Sequence, residues 1–332
     1  MIITRTPFRI SFFGGGTDYP AWYRENGGAV LSTTIDKYCY VSARFLPPYF
    51  KYKYLLRYIQ REETGTVDEI KHPVVREALK MLGVTKGIEM IYAADIPAQS
   101  GVGSSSAFSV GFLHALYALM GKMSSKRQLG REAMHLEQDI LKENVGSQDQ
   151  VAAAFGGFNR IEFGGAGEFY VSPITIPAQK LHHLQDNLIL FFTGFTRNAN
   201  EIAAEQVKNT PSRKAELTEM RAMVDSAVSI LNGPDHGYKD FGKLLHEGWR
   251  LKKMMSGSVT TGQIDDIYER GLKAGALGGK LIGAGGGGFM LFYADPSVKY
   301  KIKEALKGVL HVPFAFENLG SQVILYSRQE TF

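Results

Sequence analysis

Residues 97–107, Pro-Ala-Gln-Ser-Gly-Val-Gly-Ser-Ser-Ser-Ala, constrain the fold more than any other stretch of the chain. A β-rich run at 88–93 precedes them, and apolar residues then recur at helical spacing from Ser104 through Val110 and Leu113. Glycines let backbone N–H groups turn toward a ligand, and serines cap a helix start, where the helix dipole is positive. The segment is therefore either a phosphate cradle or a simple serine cap after a glycine turn.

The predicted cradle consists of Gly101, Val102, Gly103, Ser104, Ser105 and Ser106. Mg²⁺ prefers oxygen donors and commonly shares phosphate oxygens, so serine hydroxyls beside a phosphate are natural ligands for it. The sequence thus predicts a phosphate site with a neighbouring magnesium site at the start of one helix.

A second glycine-rich segment, Gly-Ala-Gly-Gly-Gly-Gly at 283–288, formally matches the dinucleotide fingerprint GxGxxG. That fingerprint requires a helix after the glycines, because the helix N-terminus holds the pyrophosphate. Here Phe-Met-Leu-Phe-Tyr follows at 289–293, which predicts a strand. The chain also lacks Gly-Lys-Ser/Thr, so a Walker A loop is excluded as well.

A third segment, at 7–19, reads Pro-Phe-Arg-Ile-Ser-Phe-Phe-Gly-Gly-Gly-Thr-Asp-Tyr. Its three glycines end a strand, and Arg9 and Asp18 stand on either side of them, at most about 30 Å apart along an extended chain. The two side chains could therefore reach one site, although the glycines could also form no more than a turn.

Two further carboxylates, Glu137 and Asp149, complete the set of candidate residues. Glu137 lies in a predicted helix, and Asp149 precedes a short apolar helix at 151–155. Phosphoryl transfer needs a carboxylate that holds the metal and often a second one that takes or orients the hydroxyl proton. Either acid taken singly could equally be a solvated surface group.

The order of predicted elements indicates an α+β protein of two domains, because runs of strands and runs of helices do not alternate strictly. Strands are predicted at 2–13, 29–36, 37–45, 88–93, 157–163, 168–174, 188–193, 280–282 and 289–293, followed by a helix and two final strands. Helices are predicted from 104, at 126–142, within 198–255 and at 263–273, and residues 173–186 read as a connector. We place the domain break near residue 180.

Composition excludes several classes of protein. The 332 residues are 44% hydrophobic and 21% charged, the balance of a globular enzyme. The net charge is +5, but the basic residues are scattered, so no nucleic-acid partner is expected. The longest near-apolar stretch, 281–294, is shorter than the roughly 20 residues that span a bilayer, so no membrane association is expected. The absence of a signal-peptide pattern and the single Cys39 predict a cytoplasmic protein.

The three glycine-rich segments, in this order and with both acids between the second and third, resemble the motifs of the GHMP kinases, the superfamily of galactokinase, homoserine kinase and mevalonate kinase. The segment around 8–20 most resembles the D-glycero-D-manno-heptose 7-phosphate kinases and their fucokinase-like relatives. The resemblance implies an N-terminal mixed α/β domain with a left-handed crossover, at 1–180, and a C-terminal ferredoxin-like domain, at 181–332. It also implies ATP and Mg²⁺ as the partners of the cradle.

The resemblance implies a role for each candidate residue. Ser105 and Glu137 match the Mg²⁺ ligands, Asp149 matches the catalytic base, and Arg9 matches an arginine near the transferred phosphoryl group. Asp18 matches an aspartate that binds sugar hydroxyls, and the residues predicted to contact substrate with it are Gly15, Gly16, Thr17, Gly286 and Gly287. Arg197 is the first candidate to bind a distal phosphate, with Arg44 and Lys37 behind it; Arg197 could also be an ordinary charge at a strand end.

One departure from the galactokinase pattern bears on the substrate. Galactokinases have Glu-His where this chain has Gly15-Gly16, and the loss of that glutamate argues against galactose and leaves room for a longer, phosphorylated sugar. The resemblance therefore favours transfer to the anomeric hydroxyl of a heptose 7-phosphate. The alternatives are a fucokinase-like or mevalonate-type kinase, and a non-catalytic sugar-binding regulator. The oligomeric state stays open, a homodimer included.

Overall fold

Two β-sheets organise the chain in the computed structural model, which describes residues 1–165, 167–194, 199–233 and 238–327. The strands are β1 (Ile2–Phe13), β2 (Gly28–Phe45), β3 (Tyr54–Arg57), β4 (Arg61–Thr64), β5 (Ile88–Ala94), β6 (Phe158–Gly164), β7 (Glu168–Pro173), β8 (Leu188–Phe192), β9 (Gly278–Leu281), β10 (Phe289–Tyr293), β11 (Leu310–His311), β12 (Phe316–Glu317) and β13 (Gln322–Tyr326). The helices are α1 (Pro20–Asn26), α2 (Pro73–Met81), α3 (Ser104–Leu119), α4 (Lys126–Met134), α5 (Gln148–Phe155), α6 (Ala178–Asp186), α7 (Ala199–Asn209), α8 (Lys214–Asn232), α9 (Tyr238–Met255), α10 (Gly262–Lys273) and α11 (Lys299–Ala305).

The larger sheet has the strand order β13-β1-β2-β5-β3-β4, with β6 and β12 also paired to β2 and β7 paired to β6. Helix α3 packs directly on β1 and β2, and its residues are buried on nearly all sides. Gly111 makes this close approach possible, because a Cβ atom there would lie 2.7 Å from the Thr6 hydroxyl. The strand that carries Arg9 is thus clamped between a helix and two neighbouring strands.

Strand β2 is one continuous strand of 18 residues, whereas the sequence predicted two strands that meet at Asp36 and Lys37. The pairing with β1 explains the difference: Pro7 is opposite Tyr38 and Phe8 is opposite Ile35, so Asp36 and Lys37 form a bulge. A bulge bends a strand without ending it. The first part of β2 then pairs with β6 and the last part with β5.

The smaller sheet has the order β11-β8-β10-β9, and its pairs are all antiparallel. Numbered along the chain, this is the order 4-1-3-2 of a ferredoxin-like domain, which confirms the expectation for the second half. A core of its own lies beneath the sheet and includes Phe191, Trp249, Tyr268 and Phe292.

The last strands do not stay with this second sheet. Strand β12 pairs with β2, and β13 pairs with β1, so the larger sheet contains residues from both ends of the chain. A single cut at residue 180 therefore does not separate the two sheets. The pairing depends on contacts more than 300 residues apart in sequence, which no local pattern reports.

Other boundaries differ from the sequence prediction. The predicted connector at 173–186 contains helix α6, which begins after Pro177 and buries Leu184. The predicted helix at 126–142 is α4 followed by a wider π-helical segment, His135–Ile140. Strands β3 and β4 and the third terminal strand were not predicted. Among the described residues, no helix is long and apolar enough to cross a membrane.

Candidate active site

A cavity of about 320 Å³ lies where the two halves of the chain meet. The end of β1, the 101–106 segment and the start of α5 line it from one side, and α7, α9 and β9 line it from the other. Residues of the three glycine-rich segments and Asp149 therefore lie around one cavity.

Residues 101–103 form a turn that leads into α3, whose first residues are Ser104, Ser105 and Ser106. Gly101 and Gly103 have φ angles of +82° and +76°, in the left-handed region that other residues rarely adopt. Ser105 is exposed and Ser106 is buried, and both line the cavity together with Gly101, Gly103 and Ser104. Val102 does not line it: the side chain is fully buried, and its carbonyl accepts a hydrogen bond from the Arg9 backbone N–H.

Arg9 and Asp149 form a bidentate ion pair beside this segment. Arg9 Nε lies 2.6 Å from Asp149 Oδ1, and Nη2 lies 2.7 Å from Oδ2. A third donor, Nη1, reaches the Gly101 carbonyl at 2.7 Å. Because Arg9 is only 4% exposed, its guanidinium holds the carboxylate of Asp149 and the turn at Gly101 in one fixed arrangement.

Asp18 lies buried on the same cavity wall. Its carboxylate accepts hydrogen bonds from the Gly16 backbone N–H at 2.8 Å and from the Gln148 side chain at 2.9 Å. Burial raises the pKa of Asp18 above its ordinary value, and the backbone hydrogen bond from Gly16 opposes this shift. Gly15 and Gly16 line the cavity, whereas Thr17 is fully buried and donates to the Gly14 and Ala29 carbonyls.

Glu137 lies behind the cradle and not on the cavity wall. Its Oε2 accepts a hydrogen bond from Ser106 Oγ at 2.8 Å and another from Gln150, while Oε1 has no hydrogen-bond partner among the described residues. Burial raises the pKa of Glu137 to about 7. Ser106 thus hydrogen-bonds to Glu137, and Ser105, one residue earlier, lines the cavity.

An oxygen-rich donor set of this kind fits Mg²⁺. A buried carboxylate oxygen without a partner, next to a serine at the start of a helix, matches the preference of Mg²⁺ for one or two carboxylates and phosphate oxygens. No group of three or more His, Cys, Asp or Glu side chains that could hold a metal occurs among the described residues.

The 283–288 segment packs against the cradle, and only its first two residues line the cavity. Gly283 and Ala284 line the wall, whereas Gly286 and Gly287 are buried and do not. A Cβ atom on Gly283 would lie 2.5 Å from the Gly101 backbone, which shows that the two glycine-rich segments touch directly. The structure thus does not bring Gly286 and Gly287 into the predicted substrate contact.

The residues that line the cavity but were not selected from the sequence include Gln148, Lys252 and Lys280. Gln148 stands beside Asp149 and could have been suspected for that reason, but Lys252 looks like half of a surface pair with Lys253. Arg197, the predicted distal-phosphate ligand, lies outside the described residues. The two secondary candidates are paired elsewhere, since Arg44 contacts Glu89 and Lys37 lies 3.1 Å from Asp36.

Comparison with known families assigns both halves of the chain. Residues 69–157 match the GHMP kinases N terminal domain, and residues 223–311 match the GHMP kinases C terminal domain. Together the two matches cover more than half of the chain, and the first includes the cradle, Glu137 and Asp149.

Individual relatives agree with that assignment. The chain is 30% identical to D-glycero-alpha-D-manno-heptose 7-phosphate kinase of Campylobacter jejuni, over 92% of this chain and 93% of the relative. It is 28% identical to L-fucokinase/L-fucose-1-P guanylyltransferase of Bacteroides fragilis, over 91% of this chain but only 35% of that longer protein. A crystal structure of a D-glycero-D-manno-heptose 1-phosphate kinase from Bacteroides thetaiotaomicron has a TM-score of 0.79 at 23% identity, covering 98% of this chain and 100% of that chain. At that identity the likeness speaks for the fold alone.

Proposed function

The chain belongs to the GHMP kinases, and from that premise we propose that it transfers the γ-phosphoryl group of ATP to the anomeric hydroxyl of D-glycero-D-manno-heptose 7-phosphate. The products are ADP and the 1,7-bisphosphate. Membership of the family, together with 30% identity to a heptose 7-phosphate kinase, makes the protein an ATP-dependent sugar kinase, and the identity of the acceptor is what this proposal adds.

The observation that carries the proposal is the convergence of three groups in one cavity. The 101–106 turn supplies backbone N–H groups and a helix N-terminus for the phosphates of ATP. The Arg9–Asp149 pair stands directly beside that turn, and Asp18 with Gln148 offers hydrogen-bond partners to sugar hydroxyls. Similarity to a heptose 7-phosphate kinase over nearly the full length of both chains supports the choice of acceptor.

Asp149 accepts the proton in the proposed reaction. The anomeric oxygen attacks the γ-phosphorus in line, the bond from phosphorus to the β–γ bridging oxygen breaks, and ADP leaves with that electron pair. The proton of the hydroxyl passes to Asp149, which Arg9 holds on both oxygens. Arg9 also places positive charge beside the cradle, where negative charge accumulates on the transferred group.

Ser105 and Glu137 would hold Mg²⁺ with the ATP phosphates, with Ser106 keeping Glu137 in place. When bound, the ion neutralises charge on the β- and γ-phosphates. Because Glu137 is buried and Ser105 faces the cavity, we expect Glu137→Gln and Ser105→Ala to raise the Mg²⁺ concentration needed for half-maximal activity. An unchanged Mg²⁺ requirement in both variants would count against this ligand pair.

An ADP-release assay over a panel of acceptors tests the proposal. The panel contains heptose 7-phosphate, unphosphorylated heptose, L-fucose, galactose and mevalonate. We expect the highest kcat/KM with heptose 7-phosphate, and a product whose phosphorus NMR spectrum shows a second phosphate on the anomeric carbon. Efficient turnover of fucose without turnover of heptose 7-phosphate would still show a sugar kinase, but it would contradict the proposed acceptor.

A further inference from the structure

Two buried lysines on the cavity wall have no part in the reaction described so far. Lys252 lies on α9 and Lys280 on β9, and each is only 7% exposed. The ammonium group of Lys252 donates to the Gly283 carbonyl, and that of Lys280 donates to the Phe12 carbonyl at 2.8 Å. Both side chains line the cavity.

Neither lysine has a carboxylate partner within 4.0 Å among the described residues. An ammonium group carries three N–H donors, and a single carbonyl satisfies only one of them. Charged side chains are rarely buried unless they are paired, because desolvation is costly. Arg9, the other cation among the described residues that line the cavity, is paired with Asp149, whereas Asp18 acts on the two lysines only at longer range.

The electrostatic setting indicates what would relieve that cost. Burial lowers the pKa of Lys252 to about 8 and lowers the pKa of Lys280 as well, and repulsion between the two ammonium groups contributes to the shift of Lys280. An anion between them would offset both effects at once. A phosphate dianion can accept several charge-assisted hydrogen bonds from two ammonium groups, so it fits this pair.

Position distinguishes between the two phosphate-bearing substrates. Phe12 lies on β1 just before the Gly14–Gly16 turn, and Asp18 is among the charges that act on Lys280. These are the residues on the acceptor side of the cavity. The nucleotide side has its own donors in the 101–106 segment, and neither lysine is hydrogen-bonded to that segment in the described structure, although Gly283, which Lys252 contacts, touches Gly101.

We propose that Lys252 and Lys280 together bind the phosphate that the acceptor sugar already carries, an inference that rests on the proposed function. The pair makes the enzyme selective for a phosphorylated sugar over the same sugar without its phosphate. Selection of this kind arises because the unphosphorylated sugar leaves two buried cations unpaired, which is a larger penalty than the loss of an exposed contact.

Kinetics with two acceptors and two variants test the pair. Lys252→Met and Lys280→Met keep most of the unbranched side chain and remove the ammonium group with its charge. Each should lower kcat/KM for heptose 7-phosphate about 10- to 100-fold, the effect of losing charge-assisted hydrogen bonds. The value for unphosphorylated heptose and the KM for ATP should each stay within about 3-fold. Calorimetric titration with heptose 7-phosphate in the absence of nucleotide should show the same weakening.

Lys299→Met is the matched control. Lys299 is also partly buried and donates to a backbone carbonyl, that of Leu188 at 2.7 Å, but it does not line the cavity. Thermal unfolding of every variant shows whether the fold is retained. We expect the control to discriminate between the two acceptors as the wild type does.

The outcomes separate this inference from the function on which it rests. Equal losses on both acceptors, or a raised KM for ATP with unchanged acceptor selectivity, would assign the lysines to the transferred phosphoryl group and overturn the inference alone. Wild-type selectivity in both variants would overturn it too. Turnover confined to unphosphorylated sugars in the wild type would overturn the inference together with the proposed acceptor.

Discussion

Single side chains in this cavity depend on partners that come from distant parts of the chain. Arg9 comes from the first strand and Asp149 from the fifth helix, and the guanidinium reaches both carboxylate oxygens. A carboxylate that is hydrogen-bonded at both oxygens keeps one orientation. A fixed orientation is what a proton acceptor beside an incoming hydroxyl requires.

Asp149→Asn should lower kcat at least about 100-fold, the usual scale for general-base catalysis. The amide keeps the shape of the side chain and one oxygen for Arg9, so the fold and the KM for ATP should be retained. Steady-state kinetics and thermal unfolding give the two readouts. Asp139→Asn is the control, because Asp139 is exposed and contacts His135 away from the cavity. Wild-type turnover in Asp149→Asn would remove Asp149 from the role of proton acceptor.

The protonation state of Lys252 affects the stability of the folded protein as well as the proposed binding of phosphate. Burial lowers its pKa to about 8 from an ordinary 10.5, so between these values the unfolded chain binds the proton more tightly than the folded chain does. Stability from this group therefore rises with pH across that window. Below pH 8 the buried ammonium is held at a cost of up to about 3 kcal/mol.

Lys252→Met should therefore be more stable than the wild type at pH 7 when no phosphate is present. The difference should shrink as the pH rises from 8 toward 10, because the wild type then loses the buried charge. Urea unfolding at several pH values measures it, with the exposed Lys243→Met as the control. If Lys252→Met is less stable than the wild type at pH 7, the packing of the aliphatic part of Lys252 contributes more free energy than the burial of its charge costs.

At the scale of elements, the cradle is shaped by contact between two glycine-rich segments. Gly101 has a φ angle of +82°, and a Cβ atom there would lie 2.5 Å from the Ile282 carbonyl oxygen. Gly83 has a similar φ angle, +65°, but a Cβ atom there would meet nothing within 4 Å. An alanine at Gly83 would therefore cause backbone strain alone, whereas an alanine at Gly101 would cause backbone strain and a steric clash.

Gly83→Ala should cost about 1–2 kcal/mol of unfolding free energy, the strain of a left-handed backbone at a residue with a Cβ atom. Gly101→Ala should cost more, because the backbone must also move away from Ile282, and it should raise the KM for ATP. Urea unfolding and initial rates measure the two effects. Equal costs for the two variants would mean that the segments separate easily, and that their contact does not shape the cradle.

At the scale of the whole molecule, the two ends of the described chain close the larger sheet. Strand β13 pairs with β1, and the amino group of Met1 donates to the Ser327 carbonyl at 2.7 Å. Ser321 is buried, and its hydroxyl lies 2.8 Å from the Thr6 hydroxyl and 3.0 Å from His114 Nδ1. The strand that bears Arg9 is thus flanked on one side by the C-terminal strand.

Removal of residues 321–332 should lower the midpoint of thermal unfolding by at least about 5 °C, which corresponds to a few kcal/mol for a chain of this size. Activity should fall as well, because β1 carries Arg9. A truncation that removes only 328–332 keeps the pairing with β1 and serves as the control. An unchanged midpoint after the longer truncation would show that β1 does not need β13.

Local features of the sequence determined much of this protein in advance. Helix α3, the glycine turn before it and strand β10 each follow from neighbouring residues, because turn geometry and apolar periodicity involve only a few positions. The strict order of the three glycine-rich segments then sufficed for the family and the two-domain α+β class. Arg9, Asp18 and Asp149 could be selected because the motifs that contain them are short.

Only the tertiary structure showed which of these residues meet and which distant ones join them. Gly286, Gly287 and Thr17 stand in the motifs but do not line the cavity, whereas Lys252 and Lys280 stand in none of them and do. The pairing of β13 with β1 was equally invisible in the sequence. Burial of a lysine and closure of a sheet depend on residues hundreds of positions apart, and such contacts form only when the whole chain has packed.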